Sequence, residues 1–362
     1  MKILYAIQGT GNGHLARATE IVPVLKKMAE TDVLISGIQG DIQLPFNVKY
    51  KLYGVSFIFG TKGGVNIFRT LIKLKLVRFF IDLKKLPVKE YDMVISDFEP
   101  VSAWACKLKG KKCIGVSHQN AVLHPKAPKP QGAGWLGKTI LEYYAPANTK
   151  YGFHFNELDE NNFTPVIRPE IRKAKPDNKG HYTVYLPSFS NIEIENVLLK
   201  FPDFQWEVFS KHNTNTYKMG NISFQPVSLD GFTKSFVSCE GILCNAGFET
   251  PAEALYMGKK LCVIPMKNQY EQQCNASFLA QMGVMVLSRL DKMNLIKLNY
   301  WLGSSAKMHI KYPYHIKEVM GMVILREKFL KNKAYEEKQS APKTMGKPAI
   351  INIDAEWAKS GS

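Results

Sequence analysis

Gly241-Ile242-Leu243-Cys244-Asn245-Ala246-Gly247-Phe248-Glu249-Thr250-Pro251-Ala252-Glu253-Ala254-Leu255 is the stretch on which the fold turns. A run of strand-type residues ends at Cys244, and a glycine turn follows at Gly247. A helix then opens at Thr250, with Pro251 at its first position. Thr250 is suited to cap that helix, and Glu253 three residues later completes a T-x-x-E capping box. Strand, glycine turn and helix make up the repeating unit of a doubly wound α/β domain, whose ligands sit beyond the C-terminal ends of the strands.

The same unit recurs on either side. Downstream, 260–266 reads as a buried strand. The dense polar run Asn268, Gln269, Glu271, Gln272, Gln273 and Asn275 follows it and opens another helix. Amides and carboxylates at a strand's end offer both donors and acceptors for hydroxyl groups; a solvated helix start is the plain alternative. Upstream, 181–187 begins a fresh strand followed by Ser188-Phe189-Ser190-Asn191, where Ser190 or Asn191 would cap a helix over 192–199. Strands at 206–209 and 222–225 complete the set. The Pro-rich, charged segment 163–179 reads as a connection between domains.

The N-terminal half repeats the pattern. The strand 2–7 runs into Gln8-Gly9-Thr10-Gly11-Asn12-Gly13-His14, and 15–25 has the apolar spacing of a helix. Glycines allow close approach of backbone to a ligand, and a helix start offers free N–H groups. The spacing is not that of the dinucleotide fingerprint, and tight strand-to-helix packing alone would also demand such glycines. Further strands at 32–37, 91–97 and 112–118 follow. His14, Asp97 and His118 all fall at strand ends, which points to a cleft. Between them, 61–86 reads as a helix. Val65, Phe68, Ile72, Leu76, Phe79 and Leu83 form one apolar stripe, and Ile67, Leu71, Leu74, Val77 and Ile81 form a second. Arg69, Lys73, Lys75, Arg78, Lys84 and Lys85 stand among them. Such a helix suits contact with an anionic membrane surface; a covering neighbour or a break into two short helices would also account for it.

Composition sets the outer limits. The chain has 362 residues and a net charge of +17, enough for two domains and a balance that attracts anionic partners. Aromatic residues are not interleaved with the basic ones as a nucleic-acid platform requires, so nucleic acid is not expected as a partner. The six cysteines are scattered without metal spacing. No signal segment or spanning run is read, so the expected location is cytoplasmic, with peripheral attachment to the inner face of the plasma membrane.

Taken together, these segments resemble GT-B glycosyltransferases, in particular the UDP-sugar-dependent group around MurG. Gly9 to His14 resembles that group's glycine-rich loop, Ser117-His118-Gln119-Asn120-Ala121 its HEQN segment, and Pro165-Val166-Ile167-Arg168 the close of its first domain. The resemblance implies two doubly wound Rossmann-like domains facing each other across a cleft. Residues 1–168 would bind the acceptor and 169–331 the nucleotide-sugar. A last helix near 316–331 would pack back on the first domain, with a polar tail over 332–362. On this resemblance Gly11, Asn12, Gly13, His118, Gln119 and Asn120 face the acceptor. Gly247, Phe248 and Glu249 lie by the diphosphate, Glu253 binds the ribose, and Gln272 and Gln273 hold the sugar. Pro226 and Val227 are the expected backbone of the base pocket, and Ser188, Ser190, Asn245, Thr250 and Glu271 complete the donor-binding set. A glycine-rich turn after the strand at 181–187 is missing, a departure that leaves the base pocket open.

The implied reaction is inverting transfer of a sugar, of the hexosyl type, from a UDP-sugar-like donor to an acceptor hydroxyl, lipid-linked or a cell-envelope precursor. No DxD pair occurs, so no metal or other cofactor is expected. His14 is the first candidate base, because imidazole titrates near neutral pH. Asp97 either orients it or replaces it, and His118 is the third candidate. The rivals are a nucleotide-sugar hydrolase or epimerase, a non-catalytic sugar-nucleotide or lipid binder, and a basic nucleic-acid binder.

Overall fold

The computed structural model describes residues 1–10, 12–37, 44–54, 75–130 and 135–340, without the side chains of 135, 136 and 334–340. Gly11 and the expected helical stretch 61–74 lie outside the described residues.

Two seven-stranded sheets carry the fold. In the first, β1 (Lys2–Gln8) is central and fully apolar from Ile3 to Ile7, as a strand covered on both faces requires. Its parallel neighbours are β2 (Glu30–Ser36) and β4 (Met93–Asp97). Beyond β2 lies β3 (Tyr50–Leu52). Beyond β4 come β5 (Cys113–Ser117), β6 (Thr149–Phe153) and β7 (Asn162–Phe163). The chain order reverses between β1 and β4, so the crevice of this sheet opens at their C-terminal ends. The register pairs Ile7 with Asp97, and helix α1 (Asn12–Met28) leaves β1 just beyond. His14, expected in the turn, therefore sits in the first turn of α1, above Asp97.

The next described helix, α2, spans Leu76–Lys85 only, because Lys75 stands outside it with ψ 67°. Leu83 is buried, but Leu76 of the expected core stripe is exposed, as are Val77, Phe80 and Ile81. Helix α3 (Pro100–Leu108) is capped by the buried Glu99 carboxylate, which accepts from the N–H groups of Val101 and Ser102. Helix α4 (His118–Val122) follows β5 directly, and α5 covers Trp135–Tyr144.

The expected connection 163–179 is not wholly irregular, since its first residue ends β7 of the first sheet and the short helix α6 (Pro169–Lys173) lies in it. In the second sheet β8 (His181–Tyr185) is central, between β9 (Gln205–Ser210) and β12 (Gly241–Asn245). Outside β9 stands β11 (Ile222–Pro226), and the short antiparallel β10 (Tyr217–Met219) closes that edge. Outside β12 stand β13 (Lys260–Ile264) and β14 (Met285–Val286). A core led by Trp206, Tyr182, Phe224 and Trp301 packs against this sheet. Ser190 caps α7 (Asn191–Leu198) with a full capping box to Glu193, an arrangement worth about 1 kcal/mol. Helices α8 (Leu229–Ser238), α9 (Glu249–Met257), α10 (Tyr270–Gln281) and α11 (Leu295–Gly303) complete this half.

Helix α9 begins at Glu249, one residue before the expected cap, with no side-chain cap. The Thr250–Glu253 capping box does not form, because both Glu253 oxygens are bound by Arg168 at 2.6 and 2.7 Å. A bidentate charged pair is stronger than one neutral cap. The final helix α12 runs Ile316–Ser340, past residue 332 where the polar tail is expected. No helix among the described residues is long and apolar enough to cross a membrane. All six cysteines are buried and unpaired.

Candidate active site

The switch points of both sheets open onto one cavity of about 960 Å³. From the first sheet it is lined by Asn12, Gly13, His14, Arg17, His118 and Gln119. From the second come Val227, Asn245, Gly247, Phe248, Glu249 and Thr250, with Glu253, Glu271 and Gln272 beside them.

His14 Nδ1 lies 2.9 Å from Asp97 Oδ1. Its Nε2 lies 3.2 Å from the Gln119 amide nitrogen, which also donates to Glu271 at 2.9 Å. The Asp97 anion can only accept, so the ring proton sits on Nδ1, towards it, and Nε2 accepts from the Gln119 amide; Arg17 Nη2, 3.0 Å from Nδ1, donates to Asp97. Asp97 is fully buried. Burial alone would raise its pKa, but the Arg17 guanidinium and His14 overcome this and hold it at about 2. It is an anion throughout the physiological range, with no surface on the cavity. Its geometry suits orienting His14 rather than meeting an acceptor.

Arg17, one helical turn after His14, completes the cluster. Its Nε and Nη2 donate to Asp97 at 3.1 and 2.8 Å, and Nη1 donates to Glu249 across the cleft. Burial would lower the Arg17 pKa, yet Asp97 and Glu249 raise it, so the cation is permanent. Sequence reading treated Arg17 only as part of an amphipathic helix. The available signal was a charge among the apolar residues of α1, three residues after His14 and on its face. Phe98, directly after Asp97, has φ 56° and stacks on Tyr144. Such a left-handed non-glycine residue beside a functional carboxylate is backbone strain held in place by packing.

The two glycines that matter here do different things. A Cβ on Gly9 would come within 2.8 Å of Ile35 in the neighbouring strand, which is a packing demand. A Cβ on Gly13 would come within 2.5 Å of the Glu249 carboxylate, so this glycine lets the two halves of the cleft approach. At Gly247 a Cβ would meet nothing within 4 Å, which leaves open cavity at the start of α9.

The other predicted residues divide. His118 lines the cavity but is 1% exposed, stacked on Phe248 at 3.8 Å, with Nδ1 donating to the Phe153 carbonyl and Nε2 2.8 Å from Asn275 Oδ1. Burial lowers its pKa to about 4, so it is a neutral ring pinning the two halves together. Asn120 bonds the Tyr151 carbonyl. Ser188 donates to Asn245, which holds the Ile264 carbonyl. Ser190 is spent on its cap, and Gln272 Oε1 accepts from the Met266 N–H. Pro226, Ser188, Ser190, Asn120 and Gln273 do not line the cavity; Tyr185, Lys211 and Phe232, absent from the expected site, do, as does Arg168, expected only as the close of the first domain. Glu271 has its pKa raised by burial, against the pull of His14 and Gln119.

Two doubly wound domains with a shared cleft at their switch points make up the GT-B architecture. The model of glycosyl transferase family 1 matches residues 1–304, so the chain belongs to that family and is a glycosyltransferase enzyme. The chain is similar to Phytolacca americana UGT2 complexed with UDP-2-fluoroglucose and pterostilbene, with 13% identity, coverage of 83% and 88% of the two chains and a TM-score of 0.52. It is also similar to the Streptomyces sp. SF2575 glycosyltransferase SsfS6 complexed with thymidine diphosphate, with 13% identity, 89% and 99% coverage and a TM-score of 0.51. Acinetobacter baumannii MurG is found at 15% identity, 83% and 89% coverage and a TM-score of 0.46. No curated protein matches the chain in sequence.

Proposed function

We propose that the protein is an inverting, metal-independent transferase that moves a hexose from a nucleotide-sugar to an acceptor hydroxyl. The observation that carries this is the oriented His14–Asp97 pair, whose Nε2 shares one cavity with Gly247 and the start of α9. In this reading the diphosphate takes the α9 N-terminus, where free N–H groups and the helix dipole favour an anion. Gly247, Phe248, Glu249 and Thr250 surround it, Glu253 meets the ribose, and Glu271 and Gln272 meet the sugar. An acceptor hydroxyl enters beside Gln119 and gives its proton to His14 Nε2 as it attacks the anomeric carbon from the face opposite the leaving diphosphate. Asp97 holds the ring and balances the imidazolium that forms. Charge on the leaving group is met by the helix start and by permanent cations, which supports a reaction without a metal. Two similar structures hold UDP-2-fluoroglucose and thymidine diphosphate, so uridine and thymidine diphosphosugars are the first donors to test.

The acceptor we propose is lipid-linked, a cell-envelope precursor met by a peripheral protein at an anionic membrane. Support comes from α2, where exposed Leu76, Val77, Phe80 and Ile81 stand among Lys75, Arg78, Lys84 and Lys85. The test is release of nucleoside diphosphate from UDP-, dTDP- and GDP-sugars, with and without a bacterial lipid extract. Release that needs one donor and the lipid supports the whole reading. Release without lipid, with free sugar formed, points to a hydrolase and removes it.

A further inference from the structure

We propose that Arg17 binds the donor's diphosphate directly, and that Glu249 is the carboxylate it gives up to do so. The inference deepens the donor reading above and rests on it. Arg17 is 2% exposed in its side chain, while the Glu249 side chain it holds is 23% exposed and lines the cavity. The two carboxylates bound to this guanidinium are unequal. Asp97 is buried, and besides Arg17 Nε and Nη2 it engages His14 and Tyr5. It cannot leave without stranding several partners. Glu249 holds only Nη1 of this guanidinium, from the solvent side.

The position of the Glu249 carboxylate is that of an anion in a prepared place. Glu249 is the first residue of α9, and its Oε2 reaches over the first turn of α1, where only the absent Cβ of Gly13 leaves room. Two helix starts and a buried guanidinium therefore converge on one carboxylate. A diphosphate brings greater charge and several acceptor oxygens to the same place, and a guanidinium matches phosphate geometry well. Donor arrival then displaces Glu249, and Arg17 Nη1 passes from carboxylate to phosphate while Nε and Nη2 stay on Asp97. Arg17 thereby joins the leaving group to the carboxylate that orients the base. After transfer, Glu249 competes for Nη1 again and helps the nucleoside diphosphate to leave.

Calorimetric titration of uridine and thymidine diphosphates, and of their parent nucleosides, into the intact chain tests this. E249Q keeps the size of the side chain and takes the charge out of its claim on Arg17, leaving a neutral amide oxygen that a phosphate displaces more easily. It should tighten nucleoside diphosphate binding about tenfold, because the competent state is no longer shared with an internal anion. Nucleoside affinity should not move. In R17K the ammonium still neutralises Asp97, but it is one point charge without the spread fork by which Nη1 reaches a second anion while Nε and Nη2 stay on Asp97, so E249Q added to R17K should gain about twofold or less. An equal gain in both backgrounds would mean that only charge repulsion was removed, and would overturn the proposal. Should R17K not fold, E249Q alone decides: unchanged or weaker diphosphate binding, or an equal gain for the nucleoside, overturns it. A wild-type protein that binds no nucleoside diphosphate would instead remove the donor reading itself, and this inference with it.

Discussion

The crevices of the two sheets are built in opposite ways. At the end of β1 and β4, charged side chains fill the space: Asp97, Arg17 and His14 satisfy one another in a buried knot, leaving one ring nitrogen towards the cavity. At the end of β8 and β12, the polar side chains turn inward, with Ser188 and Asn245 holding each other and the Ile264 carbonyl, and the cavity is left to Gly247 and a helix start. On the proposed function, the first crevice would act on the acceptor hydroxyl and the second would receive the diphosphate. In the reading proposed above, the first sheet supplies the base and the second supplies the anion's cradle, with Arg17 as the link between them.

The sharpest way to break that contrast is His14→Ala. General base catalysis is typically worth about 10²–10⁴-fold, so turnover with a matched donor and acceptor should fall by that much. A loss below about threefold would remove His14 from the chemistry. Next in size is Arg168→Ala, which strands the buried Glu253 carboxylate. Breaking a buried pair costs about 3–5 kcal/mol, and thermal melting should fall by about 10 °C. An unchanged melting point would show that the pair is not a support of the second crevice.

A smaller effect follows from the neutral histidines. Burial lowers His118 to about 4, and lowers His154 to about 3 with His118 adding to it. Unfolded histidine takes its proton near 6.5, so the unfolded state binds protons first as pH falls. Stability contributed by keeping these rings neutral is full above about pH 6.5 and is lost as pH falls towards 4. Melting temperature should drop by several degrees across that window, and His154→Phe should flatten the drop; a flat wild-type profile contradicts it. The smallest expected effect concerns α2. Phe80→Glu should weaken binding to anionic vesicles about threefold to tenfold at low salt, read by co-sedimentation, with activity on a soluble acceptor analogue unchanged. Equal binding by the variant would take α2 out of the membrane reading.

Much of this was legible in the chain. Strand-ending residues such as Asp97 and Asn245, and the glycine turn at Gly247, announce switch points because parallel strands are uniformly apolar until they end. What stayed hidden depends on neighbours distant in sequence. Arg17 looks like an ordinary helical charge until Asp97 and Glu249 are brought to it from elsewhere in the chain. Glu253 reads as a cap because Arg168, its true partner, lies across the connection between the sheets. His118 looks like a base by type and place, and only its stacking on Phe248 and the enclosure of its ring between the Phe153 carbonyl and the Asn275 amide show a pin. The edge strands β3, β7, β10 and β14 were too short to carry a pattern.

The division proposed between the base and the diphosphate cradle is tested most directly by titrating the nucleoside diphosphate into His14→Ala and Gly247→Val side by side. The account predicts that His14→Ala binds within about twofold of wild type, and that Gly247→Val, whose side chain projects into open cavity, loses about tenfold or more. Weak binding in His14→Ala together with wild-type binding in Gly247→Val would contradict it.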